Sequence, residues 1–163
     1  MLTKGNVQFL VKNGMMDITA HTLDAAHSYK VVKFKNILRD INRQADDMEE
    51  SFYKELGIDD KFSARFSELL NKEKLTKAEQ TELDKFKDTD KRFGEMRNAM
   101  LDEEADLKDA KVMPYEEWKK LQDENKDAML IYRNAQGQVI GKRELLMVFE
   151  NELEGILWKA PEE

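Results

Sequence analysis

Between residues 31 and 52 apolar side chains recur at alternating steps of three and four: Val31, Phe34, Leu38, Ile41, Ala45, Met48 and Phe52. That spacing keeps a single stripe on one side of an α-helix, facing whatever the helix packs against. Thr22 offers a capping hydroxyl before the stripe and Gly57 a stop after it, so the pattern predicts one helix from Thr22 to Leu56. Some 35 helical residues span roughly 50 Å, and a stripe of that length needs cover along its whole course. The segment from Leu75 to Leu107 offers it. Thr76 and Glu79 read as a capping box, and Leu83, Phe86, Phe93 and Met100 follow at helical spacing. The two helices are expected to form an antiparallel hairpin, with Phe62, Phe66, Leu69 and Leu70 marking a short helix across its tip.

The period changes at both ends. In residues 7–19, apolar positions flank Asn13-Gly14, a dipeptide suited to a type I′ turn, which predicts a small β-hairpin within residues 1–21. Pro114 suits the first turn of a helix whose Tyr115, Trp118 and Leu121 share a side. "AMLIYR" then reads as a strand, "NAQGQ" as a turn and "VI" as a short returning strand. A last helix follows from about Arg143 to Trp158, carrying Leu146, Phe149, Leu153 and Ile156 or Leu157, with "KAPEE" as a frayed tail. The expected fold is mainly α, of the α+β class. It is read as a single domain over 1–163: an N-terminal hairpin at 1–21, a helical stalk at 22–110 and a small α+β head at 111–163.

Composition narrows the function. Charged residues make up 37% of the 163-residue chain, against about 25% in a typical globular protein, as suits long helices with wet surfaces. The formal net charge of -7 repels a phosphate backbone at long range, which disfavours nucleic acid as a partner. The absence of cysteine removes disulfides and thiolate metal sites and fits a cytoplasmic location. The apolar run near the N-terminus breaks at Lys12, too short for a signal peptide or a membrane span.

Candidate chemistry is sparse. "GQVIGKR", residues 137–143, has three residues between its glycines where a phosphate-binding loop needs four, and Arg143 where that loop needs Ser or Thr. It reads as a hairpin turn. Asp24 and His27 lie three apart on a helix and could face one metal, but no Glu-x-x-His pair accompanies them, and His21, the other histidine, does not share their face. They read as exposed residues of a helix start. The acids of "DKDTDKRFGE" miss the spacing of a calcium loop. No nucleophile elbow or triad arrangement is present, so no catalytic, cofactor or metal residue is assigned and the chain is read as non-enzymatic.

The distribution of charge is less ordinary. Lys30, Lys33, Lys35, Arg39 and Arg43 precede a run of acids that includes Asp46, Asp47, Glu49 and Glu50, against the order that the helix dipole favours. Two readings fit: pairing with the antiparallel helix or plain solubility on one side, a charge register for a protein partner or a second copy of the chain on the other. Trp118, Phe149, Leu153, Leu157 and Trp158 are the candidate protein-contact residues, although helical spacing also suits them to a core. The function expected is protein interaction or assembly, as adaptor, accessory or chaperone. Two alternatives stand beside it: a nucleic-acid-associated protein using Lys30, Lys33 and Arg39, and a metal-dependent enzyme on a helical bundle. No small-molecule ligand or cofactor is indicated.

The order of parts resembles small helical proteins encoded by tailed phages and prophages. In those, a long amphipathic helix of the type "KVVKFKNILRDINRQADDMEESF" precedes a charged middle, and an acid-rich stretch like "FGEMRNAMLDEEADL" leads to a short terminal unit. The resemblance implies a role beside virion assembly and carries over no functional residue.

Overall fold

A computed structural model describes residues 1–161. The fold is mainly α with two small two-stranded sheets. Helix α1 (Lys4–Lys12) is followed by a 3-10 turn (Met15–Asp17), then α2 (Ala25–Leu56), α3 (Asp60–Asn71) and α4 (Lys77–Asp102). Strand β1 (Met113–Pro114), α5 (Tyr115–Glu124), β2 (Met129–Arg133), β3 (Val139–Glu144), α6 (Leu145–Val148), α7 (Glu150–Leu153) and β4 (Trp158–Lys159) complete it. Among the described residues no helix is long and apolar enough to cross a membrane.

The chain groups into two compact units, one formed by Met1–Asn42 with the chain from Glu104 onward, the other by Arg43–Glu103. The first holds a continuous apolar core. Leu2, Val7 and Leu10 of the N-terminal segment, Val31, Phe34, Leu38 and Ile41 of α2, and Trp118 and Leu121 of α5 pack with Leu145, Leu153 and Leu157. The first half of the α2 stripe therefore shares its core with α1, α5 and the C-terminal segment, where the periodicity alone suggested a single antiparallel helix as cover.

Within this unit the N-terminal β-hairpin expected over 1–21 is instead a helix and a turn. Thr3 and Asn6 close a capping box, with the Asn6 N–H donating to Thr3 Oγ1 and Asn6 Oδ1 accepting from the Thr3 N–H. Val7 and Leu10, three apart, then point inward on one helix face. Gly14 does take positive φ, +100°, but it serves as the exit from α1 into the 3-10 turn. A type I′ turn and a helix exit both need a residue tolerant of that conformation, so Asn-Gly alone could not separate them.

Helix α2 starts three residues later than Thr22 suggested. Asp24 caps it, with the His27 N–H donating to Asp24 Oδ1 at 2.9 Å. The backbone N–H of Thr22 instead donates to Glu124, which also accepts from the Thr19 hydroxyl and the His21 N–H. Burial raises the Glu124 carboxyl, but these bonds outweigh it and hold the group below its ordinary value. Beside it Asn125, nearly buried, accepts from the Thr19 N–H and donates to the Thr19 and Leu121 carbonyls. The loop before α2 is thereby fastened to the end of α5.

The C-terminal helix expected from Arg143 to Trp158 is also different. β3 runs on to Glu144, two single-turn helices follow, and Trp158–Lys159 pairs in parallel with Met113–Pro114. The apolar spacing of Leu146, Phe149, Leu153 and Leu157 is helical, but the pairing with β1 draws the last residues into extended backbone. The expected tail "KAPEE" begins inside this strand, and its Glu162 and Glu163 lie outside the described residues.

The second unit combines the last part of α2 with α3 and α4. Glu49 pairs with Arg97 at 3.1 Å, Tyr53 stacks on Phe93 at 4.5 Å, and Glu55 meets Arg92 at 4.0 Å. Positions rise on α2 as they fall on α4, so the two segments are antiparallel here, as the pattern predicts. Arg65 of α3 forks onto Glu82 of α4, at 3.0 and 2.8 Å, beside a cluster of Phe62, Phe66 and Phe86. Gly57, at φ +67°, ends α2 as expected. The predicted capping box opens α4: Glu79 N–H donates to Thr76 Oγ1 while Thr76 N–H donates to Glu79 Oε2.

The Lys72 ammonium and the Thr76 N–H hold the Glu79 carboxyl at about 2, well below the usual 4.5. Its folded value is depressed, so its contribution is complete above pH 4.5 and is lost as pH falls toward 2. Protection factors of the amides at residues 76–80, exchange rates taken relative to the unstructured chain at the same pH, should therefore fall across that window, and added salt should weaken the effect. Thr76→Ala should cost about 1 kcal/mol of stability at neutral pH, read from denaturant unfolding.

Candidate functional site

The five candidate contact residues lie in the core of the first unit. Trp118 is fully buried, and Phe149, Leu153, Leu157 and Trp158 are buried around it. The two indoles stack at 6.0 Å, Tyr115 leans on Trp158 at 5.3 Å, and Phe149 meets Phe9 at 5.9 Å. Glu150 satisfies both indole N–H groups: its carboxylate accepts from Trp118 at 3.2 Å and its backbone carbonyl from Trp158 at 2.9 Å. Side chains held in this way could reach a partner only if the unit opened.

The charge register divides where the units divide. Lys30, Lys33 and Arg39 belong to the first unit, while Arg43, Asp46, Asp47, Glu49 and Glu50 belong to the second. Several members are engaged within the chain. Lys30 Nζ donates to the Val112 carbonyl at 2.9 Å, Arg39 donates to Asn36, Glu49 pairs with Arg97 and Glu50 with Lys54. Arg43 and Asp46 also have partners, whereas Asp47 is exposed and Lys33 half-exposed. Pairing with the antiparallel helix, one of the two readings of the register, is realised at Glu49.

Sequence reasoning missed a different surface. The β2–β3 hairpin exposes Ile140 at 68%, Ile131 at 48% and Val139 at 47%, with Tyr132 and Met129 also exposed. Met147, just beyond it on α6, is 54% exposed. Leu130 is the buried residue of β2. The hairpin register pairs Ile131 with Lys142 on one face, and Leu130 with Arg143 and Tyr132 with Gly141 on the other. Arg133, Lys142 and Arg143 make it basic, and no acid occurs between residues 128 and 143 of a chain whose net charge is -7. Among the described residues each strand also keeps one edge without a strand partner, because this sheet has two strands. The available signal was the run "MLIY" with "VI" opposite: apolar residues on both faces of a short hairpin cannot all be core. The sequence "GQVIGKR" lies on the turn and on β3.

Two clusters set aside from the sequence look different in three dimensions. The acids of "DKDTDKRFGE" sit on continuous helix α4. Asp24 and His27, by contrast, gain a third neighbour in Glu117 of α5. His27 Nδ1 lies 2.9 Å from Asp24 Oδ2 and 3.9 Å from Glu117 Oε2. Hydrogen bonds from the His27 backbone and ring hold the Asp24 carboxyl below its ordinary value. Nothing local in the sequence connects Glu117 to α2.

No family model matches the chain, no curated protein matches its sequence, and no solved structure matches its fold.

Proposed function

We propose that this chain is a non-enzymatic interaction protein, an adaptor or accessory factor of an assembly, and that the β2–β3 hairpin is its contact surface. The observation that supports this is the concentration of exposed Met129, Ile131, Tyr132, Val139, Ile140 and Met147 on and beside one basic two-stranded hairpin. Isolated exposed apolar residues are ordinary, but a contiguous set rimmed by charge is the mark of a binding patch. The partner it suits is an acidic, extended protein segment with apolar side chains. Such a segment could add to a free strand edge, set apolar groups against Ile131 or Ile140, and place carboxylates near Arg133, Lys142 and Arg143. A phosphate backbone would answer the cations but leave five aliphatic side chains wet. The resemblance to phage and prophage proteins would place that partner among virion-assembly components.

A fluorescein-labelled peptide alternating glutamate and valine is a suitable probe, followed by anisotropy. Saturable binding is expected, weaker at higher salt and about tenfold weaker for Lys142→Glu/Arg143→Glu, a loss of roughly 1.4 kcal/mol. Light scattering should show a monomer throughout. Tight binding of oligo-deoxythymidine instead would favour the nucleic-acid reading. A hairpin-dependent rise in mass with concentration would replace the acidic partner with a second copy. Failure of all three would remove the hairpin as a contact surface.

A further inference from the structure

Three side chains from two distant parts of the chain converge beside the start of α2. Asp24 caps that helix, His27 stands one turn further in, and Glu117 arrives from α5. Their ligand atoms, Asp24 Oδ2, His27 Nδ1 and Glu117 Oε2, all lie within 4.8 Å of one another. We propose that they form a binding site for one divalent transition-metal ion of the Zn²⁺ type.

The first support is how the two carboxylates are held. Asp24 Oδ1 accepts the His27 N–H and Glu117 Oε1 accepts the Lys120 ammonium at 2.6 Å. The second oxygen of each faces the imidazole: Asp24 Oδ2 is hydrogen-bonded to His27 Nδ1 at 2.9 Å, a bond an ion would replace, and Glu117 Oε2 stands beyond it. Outer hydrogen bonds that fix one atom of a ligand are what orient donors around an ion.

The second support is independent of that geometry. Glu117 Oε2 is shielded from solvent and, among the described residues, has no hydrogen-bond partner, a costly condition for a carboxylate oxygen. At 3.9 Å from His27 Nδ1 it is too far to accept a hydrogen bond from it. Two donors bound to one ion at about 2.1 Å each stand no more than about 4.2 Å apart, so this separation suits a shared ion. The 2.9 Å between Nδ1 and Asp24 Oδ2 suits it too. Asp24 is the exposed member of the set, and its Oδ2 would exchange the hydrogen bond to His27 Nδ1 for the ion.

The donor set defines the class of ion. One imidazole nitrogen with two carboxylate oxygens fits Zn²⁺ and its neighbours better than Ca²⁺ or Mg²⁺, which prefer all-oxygen sites. Three protein ligands leave a further position for water. The positive end of α2 and the Lys120 charge oppose a cation, but Asp24 and Glu117 together outweigh them. Affinity should therefore fall below that of a closed four-ligand structural site.

Equilibrium dialysis against Zn²⁺ at pH 7.5 with elemental analysis, and Co²⁺ titration followed by visible absorption, test the site. One ion per chain is expected, with affinity reduced at least tenfold in His27→Ala, Glu117→Gln and Asp24→Asn. Asparagine caps a helix as well as aspartate, so Asp24→Asn removes a ligand without removing the cap. His21→Ala and Glu116→Gln should bind as the parent does, and Zn²⁺ should raise the melting temperature of the parent but not of Asp24→Asn. The absence of saturable binding at one ion per chain would overturn the site, as would unchanged binding in folded His27→Ala or Asp24→Asn.

Discussion

Trp158→Ala should destabilise the first unit by about 3 to 5 kcal/mol, the range for deleting a buried indole. Three losses coincide there. The ring leaves a cavity between Trp118 and Tyr115, against both of which it packs. Its N–H no longer satisfies the Glu150 carbonyl. The parallel register between Trp158 and Met113 loses the side chain that anchors β4. Trp158→Phe keeps the apolar volume in part and loses the hydrogen bond, so it should cost about 1 to 2 kcal/mol. Chemical denaturation followed by indole fluorescence would show both, since Trp118 remains as reporter. A midpoint for Trp158→Ala equal to the parent's would contradict the burial of this residue.

Leu69→Ala should cost about 2 to 4 kcal/mol, and within the second unit that is a disproportionate loss. Among the described residues, Ala45, Leu69, Leu83 and Met100 are the buried apolar side chains of Arg43–Glu103, Leu69 the most completely. Phe52, Phe62, Phe66, Phe86 and Phe93 are only half-buried, and Met48 and Leu70 are exposed. A unit of about 60 residues has little stability to spare, so deleting one of four core side chains should remove much of it. Hydrogen exchange should report faster amides throughout α3 and α4. The partly buried Arg65–Glu82 fork cannot make up the difference, because ion pairs near the surface contribute little. Parent-like exchange in α3 and α4 of Leu69→Ala would show that this core is thicker than its burial indicates.

The 3-and-4 spacing from Val31 to Phe52 determined α2 from the sequence alone, because only one helical face can collect those residues. The Thr76–Glu79 box likewise determined the start of α4, since both halves of the box are local. The mainly-α character and the hairpin around Gly137 were legible for the same reason. Asn13-Gly14 was ambiguous in itself. The box at Thr3 and Asn6, with Val7 and Leu10 three apart, carried the information that a helix precedes it.

Tertiary structure decided what local pattern could not. Helical spacing continued through Leu153 and Leu157, yet the end of the chain became a strand because Met113 and Pro114, far upstream, offered a backbone to pair with. Trp118 and Trp158 carry the composition of a binding site and of a core alike, and only packing around Glu150 assigned them to the core. The apolar side chains of β2 and β3 became a candidate contact surface because nothing among the described residues folds over them. Glu117 reached His27 through the docking of α5 near the start of α2. Each of these outcomes depends on which distant groups exclude water together, and a one-dimensional pattern records the period of a face without recording what covers it.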